Sequence, residues 1–190
     1  MKELERFQLN REKALLLVID VQEKLVVTMD AQNYRRMLGS LDMLLKGADR
    51  MGIPAVATEQ YPRGLGPTIP ELQAACRDGA VEKVSFGCCG EPAFLEKVKA
   101  LGRSQIIVTG MEAHVCVYQT VLGLLGAGFH VHVVRDGVIS RRESDFQVGL
   151  DNAARAGAVV TTAEIVLFQL MQSSKTPEFK EISALIKNRG

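Results

Sequence analysis

The chain is predicted to fold as a doubly wound α/β domain of three layers, with a sheet between two layers of helices. Three observations predict this. Short apolar runs rich in Val and Ile alternate with longer helical stretches along the 190 residues. Most of these runs are continuously apolar, as strands buried on both faces are. Glycines stand at 52, 102, 128 and 157, each just before a run, where a helix closes on a C-cap and turns into the next strand. Such alternation builds parallel strands joined by right-handed crossovers.

Taken in order, strands are expected over 14–20, 54–58, 80–84, 105–110, 129–135 and 158–161. Helices are expected over 33–51, 91–101, 115–127 and 144–156, with a helical tail over 163–171 and 177–187. The exception is 59–79, a long segment holding Pro62, Pro67, Pro70, Gly64 and Gly66. A loop of that length in a compact domain is usually functional or mobile. Hydrophobic residues make up 47% of the chain, enough for one packed core, and no linker or repeat divides it. One domain over 1–190 is expected.

The net charge is +1 and the charges are scattered, with no basic stripe or acidic tail, so neither a nucleic-acid nor a membrane partner is expected. No run approaches the ~20 apolar residues of a membrane span. The first residues, Met1 to Arg6, are charged and do not read as a signal peptide. Cys76, Cys88, Cys89 and Cys116 have neither metal-ligand spacing nor the density of a disulfide scaffold, which reads as reduced thiols in a cytoplasmic protein.

In open α/β sheets, ligands bind outside the carboxyl ends of the strands. Asp20 closes strand one, Glu59-Gln60-Tyr61 follows strand two, Lys83 lies in strand three, and Cys116 follows strand four at the start of an apolar helix. Asp, Lys and Cys are far apart in sequence but fall at one edge of the sheet. A thiolate at a helix start meets unpaired N–H groups and a favourable dipole. Asp20 can accept the thiol proton and return it to a leaving group, Lys83 can hold that carboxylate and stabilise charge forming nearby, and the turn before Cys116 can supply oxyanion donors.

These residues resemble a known family. Asp20 after an apolar strand with Gln22 two residues on, Lys83 before Ser85-Phe86, and Gly110-Met-Glu-Ala-His-Val-Cys116-Val are similar to the isochorismatase-like cysteine hydrolase superfamily. The stretch from Thr58 to Leu72, with Pro177-Glu-Phe-Lys-Glu-Ile182, looks like the isochorismatase-domain-containing proteins of animals and their bacterial relatives. The resemblance implies a six-stranded parallel sheet in the order 3-2-1-4-5-6 and a catalytic triad of Asp20, Lys83 and Cys116. It implies a cis peptide at Met111–Glu112, oxyanion donors on the N–H groups of Glu112 and Cys116, and a homo-oligomer. The candidate substrate-binding residues are Gln22, Gln60, Tyr61, Phe86 and His114, with Tyr61 and Phe86 as apolar walls and His114 at the pocket rim. Similar nicotinamidases carry Asp-x-His after strand two; Glu59-Gln60-Tyr61 stands there instead, so neither metal nor cofactor is expected. Nor does the family name argue for isochorismate, whose carboxylates want a cationic partner; Arg63 in the loop is a poor one.

The reaction expected is hydrolysis of a C–N or C–O bond in a small molecule such as an amide, through a thioester-type intermediate. Other readings stand beside it. Free cysteine is commonly a small buried hydrophobe. The chain could be a catalytically idle oligomer that recruits partners, or a thiol redox enzyme pairing Cys116 with Cys88 or Cys89. Cys88-Cys89 reads as structural, since adjacent cysteines bridge with strain. His130 and His132 share a strand face without a third ligand and read as structural too. Gly123 to Gly128 ends a helix rather than opening one, so it caps and packs. Asp136 is expected to follow strand five and to cap the next segment or brace the site edge, in a structural role.

Overall fold

The computed structural model describes residues 2–187; Met1 and the last three residues of the domain expected over 1–190 lie outside the described ones. The elements run α1 (Lys2–Glu5), β1 (Ala14–Ile19), α2 (Glu23–Val26), α3 (Ala31–Arg50), β2 (Ala55–Gln60), α4 (Pro62–Leu65), a 3-10 turn (Pro70–Cys76), β3 (Val81–Lys83), a second 3-10 turn (Cys88–Gly90), α5 (Pro92–Ala100), β4 (Gln105–Met111), a π-helical turn (Ala113–Val117), α6 (Tyr118–Gly126), β5 (His130–Ile139), α7 (Glu143–Ala156), β6 (Val159–Thr161), α8 (Ala163–Met171) and α9 (Phe179–Lys187). The six strands form one parallel sheet in the order β3-β2-β1-β4-β5-β6. The sequence-derived architecture and strand order are those of the protein.

The strand at the centre shows why the apolar runs are continuous. Every residue of β1 is buried. Ala14, Leu16 and Val18 face one core with Met37, Leu41 and Leu44 of α3 and Leu167 of α8. Leu15, Leu17 and Ile19 face the other, with Phe94 and Val98 of α5, Val121 and Leu124 of α6, and Leu150 of α7. A period of two thus sends alternate side chains into two separate cores, so no position is left for a polar residue until the strand ends.

Three local expectations are corrected. Strand five does not stop at Arg135 but continues to Ile139. Asp136-Gly137 reads as a turn in sequence, yet here it is a bulge: between paired positions β4 advances two residues, from Val108 to Gly110, while β5 advances five, from Val133 to Val138. Bulges re-aim a strand end, and this one carries Ser140 and Arg141 to the turn after β4. Asp136 therefore lies inside the strand, and its Oδ1 accepts the Ala163 N–H at 2.9 Å, the first residue of α8. The helix expected over 115–127 starts as a α-helix only at Tyr118, after the π turn. The segment 59–79 is not bare loop: Glu59 and Gln60 extend β2, and α4 and a 3-10 turn fill most of the rest. His132 faces a core with Nε2 buried and unpartnered, and burial, then the nearby His130, lowers its pKa to about 4. It is therefore neutral at physiological pH.

Candidate active site

The site forms where β1 and β4, the two strands on either side of the change in strand order, end side by side. Asp20 follows β1 and adopts a left-handed backbone at φ 51°, a conformation Asp tolerates better than most residues. Its N–H donates to the Thr58 carbonyl at 3.1 Å. Its carboxylate is fully buried between the ends of β2 and β3. Thr58 Oγ1 donates to Oδ1 at 2.7 Å, and Oδ2 faces Lys83 Nζ at 2.6 Å.

Lys83 ends β3 with its side chain wholly buried. An ammonium has three N–H donors. Gln60 Oε1 at 2.7 Å, the Phe86 carbonyl at 2.9 Å and the Ser85 carbonyl at 3.2 Å take them. The Asp20 contact is therefore an ion pair set off the hydrogen-bond lines. The Lys83 end of this buried pair thus has its donors taken, while Asp20 Oδ2 meets the cation through charge alone.

β4 meets β1 at Gly110, opposite Ile19. A Cβ on Gly110 would lie 2.1 Å from the Ile19 carbonyl oxygen, and its φ of 106° also requires glycine. The next peptide bond, Met111–Glu112, is cis. The π turn follows, with the N–H groups of Val115 and Val117 donating to the Glu112 carbonyl at 3.1 and 3.2 Å. Cys116 sits in this turn, buried beside Asp20, rather than at the open N-terminus of an α-helix. Burial, then the charge of Asp20, pushes its pKa up to about 12, and Lys83 opposes the rise. Burial and the neighbouring carboxylate thus favour the thiol, against the pull of the helix start.

The remaining sequence candidates are placed as follows. The Glu112 side chain is buried and accepts the Arg141 N–H at 3.0 Å and its Nε at 3.1 Å, which ties the turn to the end of β5. His114 Nδ1 lies 2.9 Å from Ser140 Oγ, with Nε2 4.0 Å from Asp145 Oδ2, so its ring engages α7 and the β5 end. Gln22 is buried, and its amide donates to the Gln60 and Gly66 carbonyls and accepts the Gln60 N–H. Gln60 Nε2 donates to the Val84 carbonyl. Both glutamines are thus braces of the site wall. Tyr61, in a left-handed conformation, and Phe86 are each more than half exposed.

The model of the isochorismatase domain matches residues 14–165. The chain belongs to the isochorismatase family. Its relatives include isochorismatase domain-containing protein 1 of Danio rerio, 40% identical over 144 residues, or 76% of this chain and 51% of that one; the chain spans about half the length of that relative. Among solved structures, a protein described as the MAR1 ribonuclease of Caenorhabditis elegans superposes with a TM-score of 0.88 at 34% identity, covering 96% of this chain and 94% of that one. The YcaC gene product of Escherichia coli, described as an octameric hydrolase of unknown specificity, superposes with a TM-score of 0.86 at 25% identity, covering 96% and 90%.

Within this family member, sequence reasoning missed two buried threonines that join the site from behind, Thr58 and Thr120, and read Cys88 as structural or as a redox partner without seeing that it lies between them. The usable signal was position, since Thr58 lies near the end of β2 and pairs with Ile19, the last residue of β1. Among the described residues, no three His, Cys, Asp or Glu side chains are grouped so as to hold a metal ion. No helix among them is long and apolar enough to cross a membrane.

Proposed function

We propose that this isochorismatase-family chain is a metal-independent cysteine hydrolase acting on a small amide or related C–N or C–O bond, with Asp20, Lys83 and Cys116 as its catalytic triad. The observation that carries the reading is the buried Asp20–Lys83 pair at 2.6 Å placed beside the Cys116 thiol. A charged pair is costly to bury, and this one faces a thiol, a nucleophile that a base activates. Because the thiol is held protonated, attack and deprotonation occur together: sulfur bonds to the carbonyl carbon as its proton passes to Asp20. The N–H groups of Glu112 and Cys116 receive the oxyanion. Asp20 then protonates the leaving nitrogen or oxygen, and water releases the acid from the thioester, returning the proton through Asp20. Lys83 holds Asp20 in place between steps.

Tyr61 and Phe86 form the exposed apolar rim that receives the substrate body, and His114 borders it from the β4 side. Gln22 and Gln60 act on substrate through the wall they brace. A near-balanced charge of +1, without a basic stripe in the sequence, favours a small molecule over a polyanion. The active form is a homo-oligomer, in keeping with the octameric E. coli relative. The four cysteines are all unbridged, which suits the reducing cytoplasm.

Incubation with a panel of small amides and esters, quenched in acid and weighed intact, is expected to show an acyl increment on Cys116 that decays as product forms. Cys116→Ala should show neither increment nor product. Hydrolysis that persists in Cys116→Ala would remove the cysteine from the mechanism.

A further inference from the structure

The two oxygens of Asp20 have different surroundings. Oδ2 faces Lys83, while Oδ1 accepts the hydroxyl of Thr58 at 2.7 Å. Thr58 is fully buried near the end of β2. A hydroxyl has one proton to give, and Thr58 gives it to Asp20. Its lone pair then takes the S–H of Cys88 at 3.7 Å. Cys88 is itself anchored, because its N–H donates to Thr120 Oγ1 at 2.9 Å. Thr120 Oγ1 in turn donates to the carbonyl of Cys116 at 2.6 Å.

A closed path of hydrogen bonds therefore runs from the backbone of Cys116 through Thr120, Cys88 and Thr58 to the carboxylate of Asp20. Each hydroxyl on it has spent its proton: Thr120 gives its own to the Cys116 carbonyl, and Thr58 gives its own to Asp20. The path ties the thiol-bearing residue and the proposed base together from the interior, on the side away from substrate.

We propose that Thr58 is a positioning residue that fixes the rotation of the Asp20 carboxylate, with Cys88 and Thr120 setting the direction of its hydroxyl. The proposal rests on the reading of Asp20 as the base for Cys116. The terminal torsion of an aspartate is soft and nearly two-fold. Lys83 alone leaves that torsion loose, because an ammonium charge attracts the carboxylate over a broad range of angles. The Thr58 hydroxyl holds Oδ1 while Oδ2 faces Lys83, and two anchors on different oxygens fix the plane. The groups that face Asp20 are Lys83 from β3, Thr58 from β2, Cys88 from the 3-10 turn after β3 and Cys116 from the π turn. Lys83 is the cation among them, and the two thiols are neutral, with Cys88 pushed up to about 12 by burial and then by the Asp20 charge.

Thr58→Val keeps the shape of the side chain and removes the hydroxyl. The probe is acrylamide, read as the rate of adduct formation on Cys116 by peptide mass across pH. Sulfur bonds to the terminal carbon of the alkene while its proton passes to Asp20 and on to the carbon beside the carbonyl, so the addition needs the base but no known substrate. Thr58→Val is expected to slow addition by about 10–100-fold. It should also move the low-pH limb of the profile to higher pH, because a carboxylate without its donor holds a proton more tightly. Thr58→Ser, which restores the hydroxyl, is expected within about threefold of the unsubstituted protein, the residue being an approximate isostere in hydrogen bonding. A structural role alone would leave the limb in place.

Asp20→Asn separates the two claims. If Asp20→Asn is slow and Thr58→Val reacts at the original rate with an unmoved limb, the positioning role is overturned while the base stands. If Asp20→Asn reacts as fast as the original protein, the proposed hydrolase mechanism falls and takes this role with it. Should Thr58→Val not fold, Thr58→Ala removes the same hydroxyl and is judged by the same two readouts.

Discussion

Lys83→Met is expected to destabilise the protein by about 3–5 kcal/mol at neutral pH, because it strands the Asp20 carboxylate in the core without its cation. Both side chains of the pair are wholly buried, so solvent gives little relief. Thr58 would remain as the donor to Oδ1, and one neutral hydroxyl does not replace an ammonium at 2.6 Å. The sign of the pH dependence identifies the cause. A buried carboxylate without a partner folds more readily as the neutral acid, so the stability of Lys83→Met should rise as pH falls toward the unfolded carboxylate range and decline as pH rises. Urea unfolding between pH 4 and 8 measures this. The double variant Lys83→Met with Asp20→Asn removes both charges and should regain much of the loss, as paired buried charges do when replaced together. Reaction at Cys116 should be lost in both. A Lys83→Met variant as stable as the original protein at every pH would mean that Asp20 is not held as a carboxylate.

Gly110→Ala is expected to cost more than about 4 kcal/mol and to leave little folded protein. The added Cβ would meet Ile19 oxygen at 2.1 Å, its nitrogen at 2.5 Å and its carbonyl carbon at 2.8 Å, all backbone atoms of the neighbouring strand. A side chain can rotate out of a clash, but here β1 and β4 would have to part just below Asp20 and the Met111–Glu112 peptide. The φ of 106° adds its own penalty for any residue with a Cβ. Gly102→Ala is the control: it has a φ of 64° at the end of α5 and nothing within 4 Å of the added carbon. It should lose only the backbone part, roughly 1 kcal/mol. Thermal unfolding of the two variants separates the close approach from the conformational cost.

Both predictions turn on residues whose roles differ in how far they could be read from sequence. Asp20 and Lys83 were legible because each interrupts or ends an apolar run. A strand buried on both faces has no place for a charge except at its end, and in a parallel sheet those ends converge. Cys116 was legible by the same reasoning one strand along. The state of its thiol was not. A helix start suggested an activated thiolate, whereas the chain forms a π turn that buries the sulfur against a carboxylate, and burial outweighs the backbone dipoles.

Thr58, Thr120 and the link that Cys88 makes between them were hidden for the opposite reason. Threonine and cysteine are small and tolerated in apolar cores, so they leave no trace in hydrophobic periodicity, and these hydrogen bonds span 30 to 38 residues of sequence. Gln22 and Gln60 stand out in sequence as polar groups at strand ends and offer themselves as substrate contacts. That their amides also bond backbone carbonyls and Lys83 is visible only from the path of the chain. The continuation of β5 past Asp136-Gly137 was illegible because that dipeptide favours a turn, and only pairing with β4 makes it a bulge.

The central claim is that Cys116 is a protonated thiol that reacts by passing its proton to Asp20. Its rate of alkylation by iodoacetamide from pH 5 to 12, compared with that of Asp20→Asn, tests this most directly. The account predicts a plateau through neutral pH in the unsubstituted protein, carried by the carboxylate. In Asp20→Asn that plateau should vanish, leaving a rate that climbs only toward the alkaline range in which the buried thiol ionises unaided, near 12. Superimposable profiles for the two proteins, or a single titration in both near the free-thiol value of about 8.5, would contradict it.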